Sequence, residues 1–271
     1  MGITKIEWTA TIDANGVVHP GYSFNPWIGC TKVSDGCKHC YAETLMDHRY
    51  GKVQWGPTGT RQRTSAANWR KPLQWNKQAQ AEGVRYRVFC ASLADVFENN
   101  PQLLDWRQEL FALIEQTPNL DWLLLTKRPQ HVFDFVPKHW LAGLPANIWL
   151  GTSVENQEQA DKRIPDLMAI PAKVHFLSME PLLGPVDLRQ YYREEGAGAY
   201  SLWLDYIDWV IVGGESGKEA RPMQLEWAQS IAEQCKNADV PFFMKQLGGH
   251  PDKRHNLEQF PVDLRVRQFP G

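Results

Sequence analysis

The chain has 271 residues, 43% hydrophobic and 22% charged, with a formal net charge of −2 at pH 7. That length can bury a sizeable core, the make-up is that of a globular protein, and the charge leaves no global basic footprint for nucleic acid. There is no apolar run of the roughly 18 residues a membrane span needs, and "MGITKIEWTA" lacks the apolar core of a secretory signal, which predicts a cytoplasmic protein.

The first strand is predicted to end near "SFNPWIGC" (23–30). Directly after it, "GCTKVSDGCKHCYAE" places Cys30, Cys37 and Cys40 within eleven residues of a polar, glycine-punctuated loop, ahead of a helix. The other two cysteines, Cys90 and Cys235, lie in apolar segments. A reducing cytosol disfavours disulfides, and three thiols in one loop cannot pair off within it. Metal or cluster binding is therefore expected. Thiolates select zinc or iron–sulfur clusters. A closed zinc site wants four protein ligands, and His39 would have to be the fourth, turning with adjacent Cys40 toward one ion. Three cysteines without an evident fourth ligand suit a [4Fe–4S] cluster with one open iron. Zinc, and thiols that merely pack, remain the alternatives.

Residues 49–87 read as a long insertion before the second strand. It carries nine basic residues (Arg49, Lys52, Arg61, Arg63, Arg70, Lys71, Lys77, Arg85, Arg87) against one acid, Glu82. Trp55, Trp69 and Trp75 are interleaved. Cations for phosphates and aromatic faces for bases are the ingredients of single-strand or flipped-base recognition, with Arg61, Arg63, Arg70 and Lys71 around Trp69 as the first candidates. The alternative is a solvated flap that its tryptophans anchor.

Apolar runs then alternate with helical patterns. Strands are predicted at "YRVFCAS" (86–92), "DWLLLTKR" (121–128), "NIWLGTSVE" (147–155), "KVHFLSMEP" (173–181), "DWVIVGGES" (208–216) and "PFFMKQLG" (241–248). Helices are predicted at 100–117, 156–170 and 223–238, from apolar residues at helical spacing. Near-continuous apolar strands belong in a parallel sheet covered on both faces. Strand then helix, about six or seven times, predicts a parallel (βα) barrel or partial barrel with the cysteine loop after its first strand; a doubly wound open sheet is the alternative. No linker divides the repeats, so one domain, 1–271, is expected. A second insertion at 187–206 has a Gly-Ala-Gly centre, and the tail from about 250 reads as coil.

In such a fold the chemistry gathers at the C-terminal ends of the strands. Ser92 and Asp95, Lys127 and Arg128, Ser153 and Glu155, Ser178 and Glu180, Glu215, and Lys245 with Gln246 fall there. Taken singly, each has the plainer reading of a helix cap or a solvated residue.

The cysteine loop resembles that of the radical S-adenosylmethionine (SAM) enzymes. More closely, "NPWIGCTKVSDGCKHCYAE", "LTKRP", "WLGTSVEN", "FLSMEPLLGPVDL", "DWVIVGGESG" and "FFMKQLGG" (25–249) resemble a phage and bacterial radical-SAM-like family of unassigned function. The spore photoproduct lyase branch is a more distant likeness. The spacing here is C-x6-C-x2-C rather than C-x3-C-x2-C, with His39 where an aromatic is usual and Tyr41 after Cys40.

The resemblance implies a [4Fe–4S] cluster on Cys30, Cys37 and Cys40. It implies SAM held near His39, Tyr41, Ser92, Asp95, Ser153, Glu155 and Glu180. It also implies a 5′-deoxyadenosyl radical that abstracts hydrogen from an unknown substrate, and an electron donor such as flavodoxin or ferredoxin. Lys127, Arg128, Glu215, Lys245 and Gln246 are the candidates for holding that substrate, which the insertion suggests is a nucleic acid or nucleotide. Two other readings stay open. One is a zinc- or cluster-stabilised nucleic-acid-binding protein without catalysis. The other is a metal-assisted hydrolase using Glu155, Glu180 and Glu215, although no nucleophile-elbow, His-Glu-x-x-His or dinucleotide motif occurs.

Overall fold

The computed structural model describes residues 2–193 and 200–271. The chain is α/β and is built on a seven-stranded sheet. Its strands are β1 (Tyr22–Ser23), β2 (Tyr86–Cys90), β3 (Leu120–Thr126), β4 (Ile148–Ser153), β5 (Val174–Met179), β6 (Trp209–Gly213) and β7 (Phe242–Gln246). Order in the sheet follows order in the chain, and β1–β2, β2–β3, β5–β6 and β6–β7 pair in parallel. That is the winding of a partial (βα) barrel. Helices α1 (Lys71–Glu82), α2 (Leu104–Glu115), α3 (Gln157–Met168) and α4 (Leu225–Asn237) lie between strands in the chain. No helix among the described residues is long and apolar enough to cross a membrane.

Contacts divide the chain into two compact units, residues 1–150 with 170–173 and residues 151–169 with 174–271. In the first unit, all five residues of β2 are buried and six of seven in β3, as expected of strands covered on both faces. The first strand departs from the expectation. Only Tyr22 and Ser23 join the sheet, while Trp27–Ile28 turns away and pairs antiparallel with Gln62–Arg63. Pro26 sits between the two pieces and has no N–H to give a ladder.

The insertion is also more ordered than predicted. Residues 71–82 form α1, the crossover between β1 and β2, with Pro72 in its first turn and Gly83 closing it at φ 65°. Its Trp75 is buried and stacks on Tyr22 with ring centroids 4.4 Å apart. Trp69 is buried too, edge-on to Phe24. These tryptophans anchor the segment and present no open face to a base.

In the second unit, Gly151 in β4 admits the Phe176 ring of β5, which a Cβ would meet at 2.4 Å. Asn156 caps α3 by accepting from the Gln159 N–H. Within 187–206, Tyr191–Arg193 pairs antiparallel with Tyr200–Leu202, and the Gly-Ala-Gly centre lies outside the described residues. The tail is irregular, as expected, and it is docked. Met244 N–H donates to Val266 O at 2.8 Å and Gln268 N–H to Phe242 O at 2.9 Å, so residues 266–268 cover the edge of β7. Phe269 packs on Phe243 and Trp209.

Candidate functional site

The first unit builds its site around the cysteine loop. Gly29 opens the loop at φ 111°, where a Cβ would come within 2.7 Å of Thr60 O, so only glycine lets the chain turn there without strain. The Gly29 N–H donates to Leu93 O and the Gly56 N–H to Cys30 O, each at 3.0 Å. Cys37 closes a short turn from Asp35. Cys40 precedes a helical segment, Tyr41–Glu43, that continues as a π-helix over Thr44–Arg49. All three thiols are half-buried, whereas Cys90 and Cys235 are fully buried.

Two buried arginines hold the start of this loop. From the end of β3, Arg128 donates to Thr31 O at 2.7 Å, to the Cys30 sulfur at 3.7 Å and to Asp95 at 2.8 Å. Asp95 also accepts from the Thr126 hydroxyl (2.7 Å) and from the N–H groups of Lys127 and Phe97 (each 3.0 Å). Arg61 donates to the Thr31 hydroxyl at 2.9 Å and to Gly56 O at 3.1 Å, and it pairs with Glu98 at 2.6 Å. Here the structure corrects the expectation: Arg61 is 3% exposed and belongs to the cysteine loop's scaffold, not to a phosphate-binding face. Tyr41 OH donates to Ser92 O at 2.7 Å, and the Ser92 hydroxyl accepts from Asn25 at 2.9 Å. His39 is half-buried in the same loop.

The electrostatics follow from burial. Burial pushes the Cys30 thiol up to about 12, Asp95 adding to the rise and Arg128 opposing it. Burial raises Cys40 as well, against the backbone N–H groups of Glu43 and Ala42 and the Lys127 ammonium. Burial by itself would raise Asp95, but Arg128, Thr126 and two backbone N–H groups outweigh it and hold that carboxyl below its ordinary value. Asp95 is thus an ionised brace for Arg128 and not an open carboxylate. Among the described residues, no group of three or more His, Cys, Asp or Glu side chains is gathered tightly enough to hold a single metal ion.

The second unit carries the other strand-end candidates. Arg163 donates at 2.8 Å both to Glu155 and to Ser153 O, and Glu155 is 1% exposed. Glu180, Lys245 and Gln246 come together: Lys245 pairs with Glu180, and Gln246 donates to Glu180 and to Gly214 O, each at 2.9 Å. Glu215 meets Arg221 at 2.6 Å and accepts from its backbone N–H at 2.8 Å. Sequence reasoning named these acids but missed their partners Arg163 and Arg221.

Over residues 3–265 the chain matches the family described as "Protein of unknown function (DUF5131)", and it belongs to that family. No curated protein matches it. Among solved structures, a double mutant of spore photoproduct lyase with bound AdoMet and dinucleoside spore photoproduct is 15% identical, covering 90% of this chain and 61% of that one at a TM-score of 0.43. A cysteine-to-serine mutant of spore photoproduct lyase is 16% identical, covering 89% of this chain and 61% of that one at a TM-score of 0.45. The chain thus spans about three-fifths of the length of these structures, and the likeness is too loose to assign roles to residues.

Proposed function

We propose that this chain is a radical SAM-type enzyme whose cysteine loop holds a [4Fe–4S] cluster and which uses S-adenosylmethionine. The donor set carries the reading: Cys30, Cys37 and Cys40 are three half-buried soft ligands on one loop, with the Arg128 guanidinium against the first sulfur. Ser34, inside that loop, has a buried hydroxyl without a hydrogen-bond partner, a donor suited to a sulfide. A closed zinc site wants four protein ligands, whereas three thiolates from one loop suit a cluster with one open iron. Bound there, a cluster supplies the electron for reductive cleavage of SAM.

The protein's own part is to bind, orient and shield. The three thiols give up their protons on ligation. Lys127 and Arg128 bring positive charge to Cys40 and Cys30. Ile28, Ala42, Met46, Val53 and Leu93 form the apolar cluster against which Cys40 packs. The exposed cations Arg49, Lys52, Arg70 and Lys77 suit a polyanionic substrate such as a nucleic acid or nucleotide, whose binding would weaken steeply with salt.

Anaerobic reconstitution tests the reading. The chain should take up about four iron and four sulfide and, with dithionite and SAM, release 5′-deoxyadenosine. Bound zinc without sulfide would overturn it.

A further inference from the structure

Arg128 is 98 residues from Cys30 in the chain, yet it donates to the Cys30 sulfur at 3.7 Å. Its side chain is 7% exposed and that of its partner Asp95 is 8% exposed, so water screens neither charge from the sulfur well. The two branches of the fork are directed, one to Asp95 and the sulfur, the other to Thr31 O. Asp95 is fixed in turn by Thr126, Lys127 N–H and Phe97 N–H. An N–H donor and a desolvated cation on a ligating sulfur stabilise the more negative state of an iron–sulfur centre, one of the levers by which proteins set its potential.

We propose that Arg128, braced by Asp95, is a positioning residue for Cys30 that raises the reduction potential of the cluster this loop holds. The inference rests on the cluster reading above. The step concerned is the uptake of one electron by the oxidised cluster from an external low-potential donor, a reduced flavoprotein or ferredoxin in the cell and dithionite in the test. No bond is made or broken. The added negative charge settles on the cluster and its thiolates, beside the guanidinium. Removing the cation makes reduction harder; removing the Asp95 carboxylate leaves the cation unopposed and makes it easier.

The test is a redox titration of the anaerobically reconstituted full chain, followed by the electron paramagnetic resonance signal of the reduced cluster. A charge-assisted hydrogen bond has the size to change an equilibrium about tenfold or more. For Arg128→Gln the reduced-to-oxidised ratio at the wild-type midpoint should fall by about tenfold, equivalent to about 59 mV for one electron. Asp95→Asn should shift the midpoint upward, and Arg128→Lys, which keeps the charge but not the fork, should lie between wild type and Arg128→Gln. If Arg128→Gln does not fold, the Asp95→Asn and Arg128→Lys midpoints decide. Unchanged midpoints, or shifts of one sign for Arg128→Gln and Asp95→Asn, overturn the proposal while the cluster stands. A wild-type chain that takes up no iron and sulfide overturns the cluster reading and this inference together.

Discussion

Both units place arginine on a buried carboxylate near a strand end, yet they use the pair differently. In residues 1–150 the arginines have donors to spare after meeting Asp95 and Glu98, and these go outward to the cysteine loop: Arg128 to Cys30 and Thr31, Arg61 to Thr31 and Gly56. In the second unit Arg163 returns its other bond to Ser153 O, on the strand that leads to Glu155. Arg221 turns both its side chain and its backbone N–H onto Glu215. A buried ion pair is poor evidence of net stability, but losing one partner is costly. The first arrangement uses that rigidity to hold the cysteine loop; in the second, the bonds from Arg163 and Arg221 brace Glu155, Ser153 O and Glu215 at the strand ends.

The largest effect expected from this contrast is all-or-none. Single alanine changes at Cys30, Cys37 or Cys40 should abolish the visible absorbance of the reconstituted chain, and Cys90→Ala should leave it intact because burial keeps the Cys90 thiol protonated. Full cluster content in Cys30→Ala would sink the assignment of ligands.

Next come the two buried pairs. Arg61→Ala removes the guanidinium that pairs with Glu98, and Arg163→Ala the one that pairs with Glu155; each should cost about 3–5 kcal/mol in denaturant unfolding. Iron uptake separates them, falling in the Arg61 variant and holding in the Arg163 variant. Equal loss of iron in both would erase the contrast.

Acidity sharpens the contrast further. With Cys30 raised to about 12 in the folded apo-chain and near 8.5 when unfolded, the unfolded state binds fewer protons between those values. Stability from this thiol is present in full below about pH 8.5 and is lost as pH rises toward 12. Urea unfolding of apo-protein should therefore show stability falling over that window. Cys30→Ala should flatten the slope, and an unaltered slope would show that the site does not desolvate the thiol.

Much of the fold was legible. The apolar runs at 86–92, 121–128 and 173–181 mark strands because a doubly covered sheet has no polar face to interrupt them. Helix α1 was hidden by its composition. In "KPLQWNKQAQAE" only Pro72, Trp75 and Ala79 are buried, and a count of basic residues overshadowed that helical spacing and the Gly83 stop. The three-cysteine loop was legible from its spacing alone. Its supports were not: Arg61 meets Glu98 across 37 residues and Arg128 meets Cys30 across 98, separations at which no local pattern survives. Arg163 lies eight residues after Glu155, about two helical turns, and could have been guessed once α3 was drawn.

The smallest expected effect separates neighbours within the basic segment. Arg61 and Arg63 are two residues apart, but Arg63 keeps a side chain 30% exposed and its partner Glu109 is 51% exposed. Its guanidinium lies over the Trp69 ring, 4.4 Å from the centroid. A cation–π contact at such a site contributes about 0.5–1 kcal/mol, and an exposed ion pair about 0–1 kcal/mol that salt screens away. Arg63→Ala should therefore destabilise by about 1 kcal/mol, against the several expected for Arg61→Ala. Glu109→Gln, which removes only the ion pair, should lose less, and that loss should vanish in high salt while the cation–π part persists. The sequence presents these cations as one basic patch; burial ranks them, and only the exposed ones remain for a polyanion. A large, salt-independent loss in Arg63→Ala would mean that Arg63 braces the fold as Arg61 does, leaving the segment fewer cations to offer.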